Sequence, residues 1–162
     1  EINSNGGTAN CFQYDVLSPA KAPLCKLFNN GYSIQLYYFA TPFIFSGTKD
    51  IFSYNLFKKF CDYYISGFIN IMNILIPLGL KSVFYPSSVA INEFQLNMGE
   101  YIAAKTAGEE LCMFYEKKFS DIKIYTPRLP RMDTDQTASL YPVDNKDPVP
   151  IQLEHLRFFR DS

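Results

Sequence analysis

Runs of apolar residues, and the residues that interrupt them, divide the chain into alternating elements. Cys11–Val16, CFQYDV, alternates apolar and polar positions and predicts a short strand. Ser18-Pro19 fits a helix start, with Ser18 as N-cap and Pro19 at the first helical position. That helix carries Ala22, Leu24, Leu27 and Phe28 and stops at Asn29-Asn30-Gly31. Tyr32–Ala40, YSIQLYYFA, is a β-branched and aromatic run of the kind buried on both faces of a sheet, ended by Thr41-Pro42. Across Asp50–Leu78, Phe57, Phe60, Tyr64, Phe68, Ile71 and Leu75 recur at three- and four-residue steps, which predicts one long helix or two, closed by Pro77 and Gly79. Lys81–Tyr85 is a second buried strand, stopped by Pro86. Gly99–Phe119 is helical, with Tyr101, Ala104, Lys105, Gly108, Leu111, Cys112 and Tyr115 on one face. Asp121–Thr126 alternates strictly and ends at Pro127.

Strands separated by helix-length crossovers form a parallel sheet with helices on both faces. The expected class is therefore α/β, with Ile34–Ala40, Ser82–Tyr85 and Ile122–Tyr125 adjacent in that order. The 162 residues suit one domain. Residues 1–10 are polar and Gly/Asn-rich and read as a flexible start; 127–162 hold five prolines and read as irregular until a short helix at Ile151–Arg160.

Composition narrows the function classes. At 48% hydrophobic and 19% charged the chain has a core to build, and a net charge of -1 argues against a domain held to nucleic acid by bulk charge. Tyr63–Leu80 lacks charge for 18 residues, near the length of a membrane span, but Ser66, Asn70, Asn73 and Pro77 dilute it, so a buried helix and no membrane are expected. The same helix carries Phe68, Ile69, Met72 and Ile76 around its circumference, more apolar surface than one packed face needs. The four cysteines stand 14, 36 and 51 positions apart with no CxxC, which reads as reduced, mostly buried thiols of a cytoplasmic protein. His155 is the sole histidine, which excludes a multi-histidine metal site and leaves a solvated helix residue as its simplest reading.

In open parallel sheets ligands gather at the carboxyl ends of the strands. There the chain offers Asp15, Ala40-Thr41, Ser87-Ser88 and Pro127-Arg128. The helix after Ser88 presents Tyr101 and Lys105 four residues apart, hence on one face. A hydroxyl, a phenol and an ammonium suit carbonyl reduction. Hydride adds to carbon, negative charge grows on oxygen, a phenol delivers the proton and a hydroxyl steadies the oxygen. A phenol near pKa 10 is too weakly acidic for neutral pH, and a nearby cation such as Lys105 is expected to lower it. Twelve tyrosines among these residues make about one Tyr-x-x-x-Lys pair by chance. A second one, Tyr54 and Lys58, indeed exists, but it lacks the strand, serine and alanine-rich helix that surround Tyr101.

The segment SVFYPSSVAI…YIAAKTAGEELC…DIKIYTPRLP resembles the catalytic half of the short-chain dehydrogenase/reductase family, over about Cys11 to Asp135. The resemblance implies a Rossmann-like doubly wound sheet and NAD(P)-dependent carbonyl reduction or alcohol oxidation, with NADP the favoured cofactor. It implies Tyr101 as acid/base, Ser88 orienting the carbonyl, and Lys105 holding the nicotinamide ribose as well. Asp15 matches the acidic residue that contacts the adenine, Ala40 the residue lining the cofactor groove, and Pro127 belongs to the cofactor side. YYFATP and RLPRMDTDQT resemble, more narrowly, ketoreductase-type domains of peptide and polyketide megasynthases, for which the substrate is a small-molecule or carrier-bound carbonyl.

Three departures qualify what the resemblance implies. The family's Asn-x-x-Gly, part of a water-mediated proton relay, is Tyr64 followed by Gly67, and its Pro-Gly is Pro127-Arg128. No glycine-rich phosphate loop exists, so the first strand and that loop are expected from a missing N-terminal segment, or neighbouring domains, of a larger protein. The alternative expectation is a non-catalytic, reductase-like scaffold or interaction module.

Overall fold

The computed structural model describes residues 3–19, 24–26, 28, 33–44, 51–132 and 147–161. Within them the strands are β1 (Ile34–Tyr37), β2 (Leu80–Phe84), β3 (Ser87–Ser88), β4 (Lys123–Tyr125) and β5 (Arg128–Leu129). The helices are α1 (Tyr54–Cys61), α2 (Phe68–Leu75), α3 (Ala90–Glu93), α4 (Gly99–Lys118) and α5 (Pro148–Asp161). A π-helical segment, Asp62–Gly67, joins α1 to α2.

The main sheet is parallel with order β1-β2-β4, as the apolar runs predict. Alternation along β2 sends Val83 and Tyr85 to one face, where they join Phe68, Met72, Leu75, Cys112 and Tyr115 of α2 and α4 in the larger core. Phe84 points to the other face and meets Phe159 of α5, which also packs edge-on against Tyr37. Helices thus cover both faces, the arrangement of a doubly wound α/β fold. A smaller core of Phe60, Tyr64, Ala90, Tyr101, Ile102 and Ala104 joins α1, α3 and α4.

Several expectations are corrected. Cys11–Val16 is not a strand: its residues are mostly exposed and no neighbour pairs with it among the described residues. A strand exists only as a partner in a ladder, and alternation alone supplies none. Instead Val16 lies against Gly67, and its carbonyl accepts from the Asn70 side chain at 3.0 Å. This contact puts the N-terminal stretch against the apolar helix. Residues 24–26 are helical, while Ala22, Leu27 and the expected stop at 29–31 lie outside the described residues. The start holds one 3-10 turn, Asn3–Asn5. The predicted onset of the long helix at Asp50 also lies outside them; the helix begins after Ser53, whose side chain accepts from Leu56 N.

The tail after Pro127 is not simply irregular. Ser87 N donates to Pro127 O at 2.8 Å and Val89 N to Leu129 O at 3.0 Å, so the two chains pair again beyond their prolines as β3 and β5. The final helix starts at Pro148, earlier than Ile151, with Val149 N held by the Asp147 carboxylate; proline is tolerated in a first helical turn, whose N–H groups lack intrahelical partners anyway. His155 is engaged: Nδ1 lies 2.8 Å from the Tyr125 hydroxyl. All four cysteines are free thiols, but Cys112 alone is buried and Cys11 is exposed. Among the described residues no helix is long and apolar enough to cross a membrane.

Candidate active site

The last bond between β1 and β2 runs from Tyr38 N to Phe84 O at 2.9 Å. Beyond it the ladder is broken by Pro86, which has no N–H to give. The Pro86 carbonyl is left outside the ladder, and Lys105 Nζ donates to it at 2.7 Å. Here, at the carboxyl ends of the strands, a cavity of about 790 Å³ is bordered by Ala40, Thr41, Ser88, Tyr101, Lys105 and Leu129, among others.

Four of the sequence-derived residues meet in this cavity. Ser88 ends β3; its Oγ accepts from Ala90 N at 3.2 Å, and it borders the cavity together with the Tyr101 phenol. Tyr101 and Lys105 project from one face of α4, both more than nine-tenths buried. Ala40 lines the same cavity. Asp15 and Pro127 do not. Asp15 is exposed and its carboxylate accepts from Leu17 N at 2.9 Å, while Pro127 is buried and serves through its carbonyl in the β3–β5 ladder. The chance pair behaves as expected of one: Tyr54 is 70% exposed and Lys58 forms an ion pair with Asp62.

Burial sets the electrostatics. It lowers Lys105 from 10.5 to about 7, against weaker upward pulls from Cys112 and Glu109. Burial also raises the Tyr101 phenol, with the Ser88 hydroxyl opposing it. This reverses the expectation that Lys105 would pull the phenol down. The ammonium sits instead on the Pro86 carbonyl and 4.0 Å above the centre of the Tyr64 ring.

Tyr64 fills the position where the resemblance implies asparagine. Its hydroxyl lies 2.6 Å from Thr41 Oγ1, and its backbone carbonyl accepts from the Tyr85 hydroxyl at 3.0 Å. The preceding carbonyl, of Tyr63, accepts from the Tyr38 hydroxyl at 2.6 Å. Two carbonyls of the π-helical segment are thus occupied by phenols. Arg128, in place of the family's glycine, pairs with Glu109: Nε donates at 2.9 Å and the second terminal nitrogen at 2.6 Å. Ser87 Oγ donates to the same carboxylate at 2.5 Å. Burial pushes Glu109 up, but the Arg128 and Ser87 hydrogen bonds outweigh it and hold the group below its usual range.

Sequence reasoning missed Tyr38, Tyr85 and the ring of Tyr64. The signal was Tyr64 itself, a bulky phenol at a position expected to be small and polar, together with Gly108 opposite Tyr85.

No protein-family model and no curated protein matches the chain. Solved structures do. An alcohol dehydrogenase from the archaeon Thermococcus sibiricus, complexed with 5-hydroxy-NADP, aligns with TM-score 0.80 at 14% identity, covering 99% of this chain and 72% of that one. A short-chain dehydrogenase/reductase from Mycobacterium ulcerans gives 0.77 at 14% identity, over 96% and 65%. One from Salmonella enterica serovar Typhi gives 0.75 at 16% identity, over 96% and 70%. The chain has the Rossmann-like fold of the short-chain dehydrogenases and spans roughly two thirds to three quarters of the length of these neighbours.

Proposed function

We propose that this chain is the catalytic portion of a nicotinamide-dependent oxidoreductase that reduces a carbonyl or, in reverse, oxidises an alcohol. The observation that carries this reading is the meeting of Ser88, Tyr101 and Lys105 in one cavity at the strand ends. Tyr101 gives its proton to the carbonyl oxygen. Because burial raises its pKa, the phenol is protonated at neutral pH, the form that donates. Oxidation needs the phenolate and is the harder direction for this site. Ser88 holds the carbonyl oxygen for attack. Lys105 holds the ribose hydroxyls next to the nicotinamide.

The residues fit the nicotinamide end of the cofactor. Ala40, Thr41, Pro86 and Lys105 border the cavity, and among the described residues no carboxylate ion-pairs with Lys105. When bound, the cofactor supplies or accepts the hydride. The residues do not fit its pyrophosphate. Gly6 and Gly7 lie in an exposed stretch, and among the described residues no glycine-rich turn leads from them into a helix N-terminus. That cradle comes from polypeptide outside this chain, a preceding segment or neighbouring domain of a larger cytoplasmic protein. NADP is the favoured cofactor and a small-molecule or carrier-bound ketone the substrate, as in a ketoreductase domain. The second reading, a non-catalytic reductase-like scaffold, is favoured by the absence of the glycine cradle from the sequence.

Reduced nicotinamide mononucleotide separates the two, because it needs no pyrophosphate cradle. Titrated into the chain and followed by NMR, it shifts resonances of Ala40, Tyr101 and Lys105 if the reading holds. Shifts elsewhere, or none at millimolar ligand, contradict it and favour the scaffold.

A further inference from the structure

An ammonium in an apolar interior needs a partner, and among the described residues Lys105 pairs with no carboxylate. It contacts the Pro86 carbonyl at 2.7 Å and two aromatic faces, Tyr64 at 4.0 Å and Tyr85 at 5.3 Å from the ring centres. A cation over a ring face is attracted by the ring's quadrupole, more strongly where water is excluded. We propose that Tyr64 is a positioning residue for Lys105, its ring face holding the ammonium in place of the asparagine-and-water arrangement that the resemblance implies. The proposal deepens the reductase reading and rests on it only for what Lys105 then does to a nucleotide.

The surroundings of Tyr64 hold the ring where this requires. Its hydroxyl is tied to Thr41, at the mouth of the cavity after β1. Its ring stacks on Phe60 and meets Tyr101 edge-on. Its backbone lies in the π-helical segment, whose carbonyls at Tyr63 and Tyr64 are taken by the Tyr38 and Tyr85 hydroxyls. Isolated π-turns within α-helices are costly and concentrate at functional sites. Gly67 and Gly108 make the capping possible: a Cβ on Gly67 would press on the Tyr38 hydroxyl, and one on Gly108 on that of Tyr85. Two strand-end tyrosines, two glycines and one threonine thus converge on the placement of a single ring. The titratable groups facing Lys105 are Tyr64 and Tyr85 from the packed elements and Tyr101, Glu109 and Cys112 from its own helix.

The test weakens the ring face without changing its shape. In the full chain with selectively labelled lysines, the Lys105 resonance is assigned by its loss in Lys105→Arg and titrated by NMR. Tyr64→Phe keeps the ring, and mono-, di- and trifluorinated phenylalanines at position 64 then draw charge from its face in steps. The expected result is a Lys105 pKa little changed in Tyr64→Phe and falling stepwise with fluorination, by about half a unit to one and a half units in all. A flat series overturns the proposal. So does a drop already complete in Tyr64→Phe, which would assign the effect to the hydroxyl. A role in packing alone moves none of these values, since the rings are nearly isosteric. The titration uses no nucleotide or substrate: absence of reductase activity leaves its result standing, and a flat series leaves the reductase reading standing.

Discussion

The hydroxyl of Tyr85 stands where a side chain on Gly108 would begin. From there it donates to the Tyr64 carbonyl at 3.0 Å, while its ring stacks flat on Tyr38, whose own hydroxyl donates to the carbonyl of Tyr63. A missing Cβ on α4 thus lets a residue after β2 hold the π-helical turn beneath the cavity. The relation is steric first and electrostatic second.

Gly108→Ala is therefore expected to destabilise the chain by about 1–3 kcal/mol, the usual cost of overpacking a full interior. Tyr85→Phe removes the obstructing oxygen and leaves the Tyr64 carbonyl without that donor, at about 1 kcal/mol. In a double-mutant cycle read by denaturant unfolding, the combined loss is expected to fall short of the sum of the two. Strict additivity would show that the two residues do not meet as described.

Stability is expected to rise with pH from about 7 to about 8.5. The folded pKa of Lys105, about 7, lies below its ordinary 10.5, so between those values the unfolded chain binds more protons. Raising pH then favours the folded state, by at most about 1.4 kcal/mol per unit. Above this window the buried tyrosines and Cys112, whose pKa values are raised on folding, act in the opposite sense. Urea unfolding at several pH values checks the slope. Lys105→Met, which removes the group, is expected to flatten it, and an unchanged slope would mean that Lys105 titrates normally.

The parallel sheet was legible because its strands are continuous apolar runs closed by prolines, and such runs fit few other places in a fold. Cys11–Val16 was misread because alternation reports a half-buried surface and says nothing of a neighbour to pair with. The π-helical turn leaves a trace in the sequence. Phe60, Tyr64, Phe68 and Met72 are all essentially inaccessible, yet they lie at steps of four. In a regular helix three such steps drift by about 120°, and one inserted residue cuts the drift to about 20°. Of the site, Ser88, Tyr101 and Lys105 were legible from spacing and context. The aromatic seat beneath Lys105 was not, because it is assembled from Thr41, Tyr64 and Tyr85, which converge only once the sheet forms.

Phe159 anchors α5 on the face of the sheet opposite α2 and α4, 3% exposed and in contact with Tyr37, Phe84 and Tyr125. Phe159→Ala is expected to cost about 3–5 kcal/mol. Hydrogen exchange should then quicken along β1, β2 and β4 before it does in α4. Uniform acceleration across all elements would instead place α5 inside the main cooperative unit.

Calorimetry of the chain with NADPH should show no micromolar binding, because among the described residues no backbone-amide cradle for the pyrophosphate is present. Micromolar affinity would reveal a phosphate site other than the glycine-rich one.

Carbonyl reduction by NADPH, measured at saturating nucleotide in the protein with its cofactor cradle in place, tests the central claim most directly. Tyr101→Phe removes the proton donor and keeps the ring, so turnover should fall at least about a hundredfold while nucleotide affinity stays nearly intact. Ser88→Ala should cost less, and Lys105→Ala should damage turnover and nucleotide binding together. Tyr54→Phe, on the exposed face of α1, should change neither. Full turnover in Tyr101→Phe, or equal losses at Tyr54 and Tyr101, would contradict the assignment of Tyr101 as the group that protonates the carbonyl oxygen.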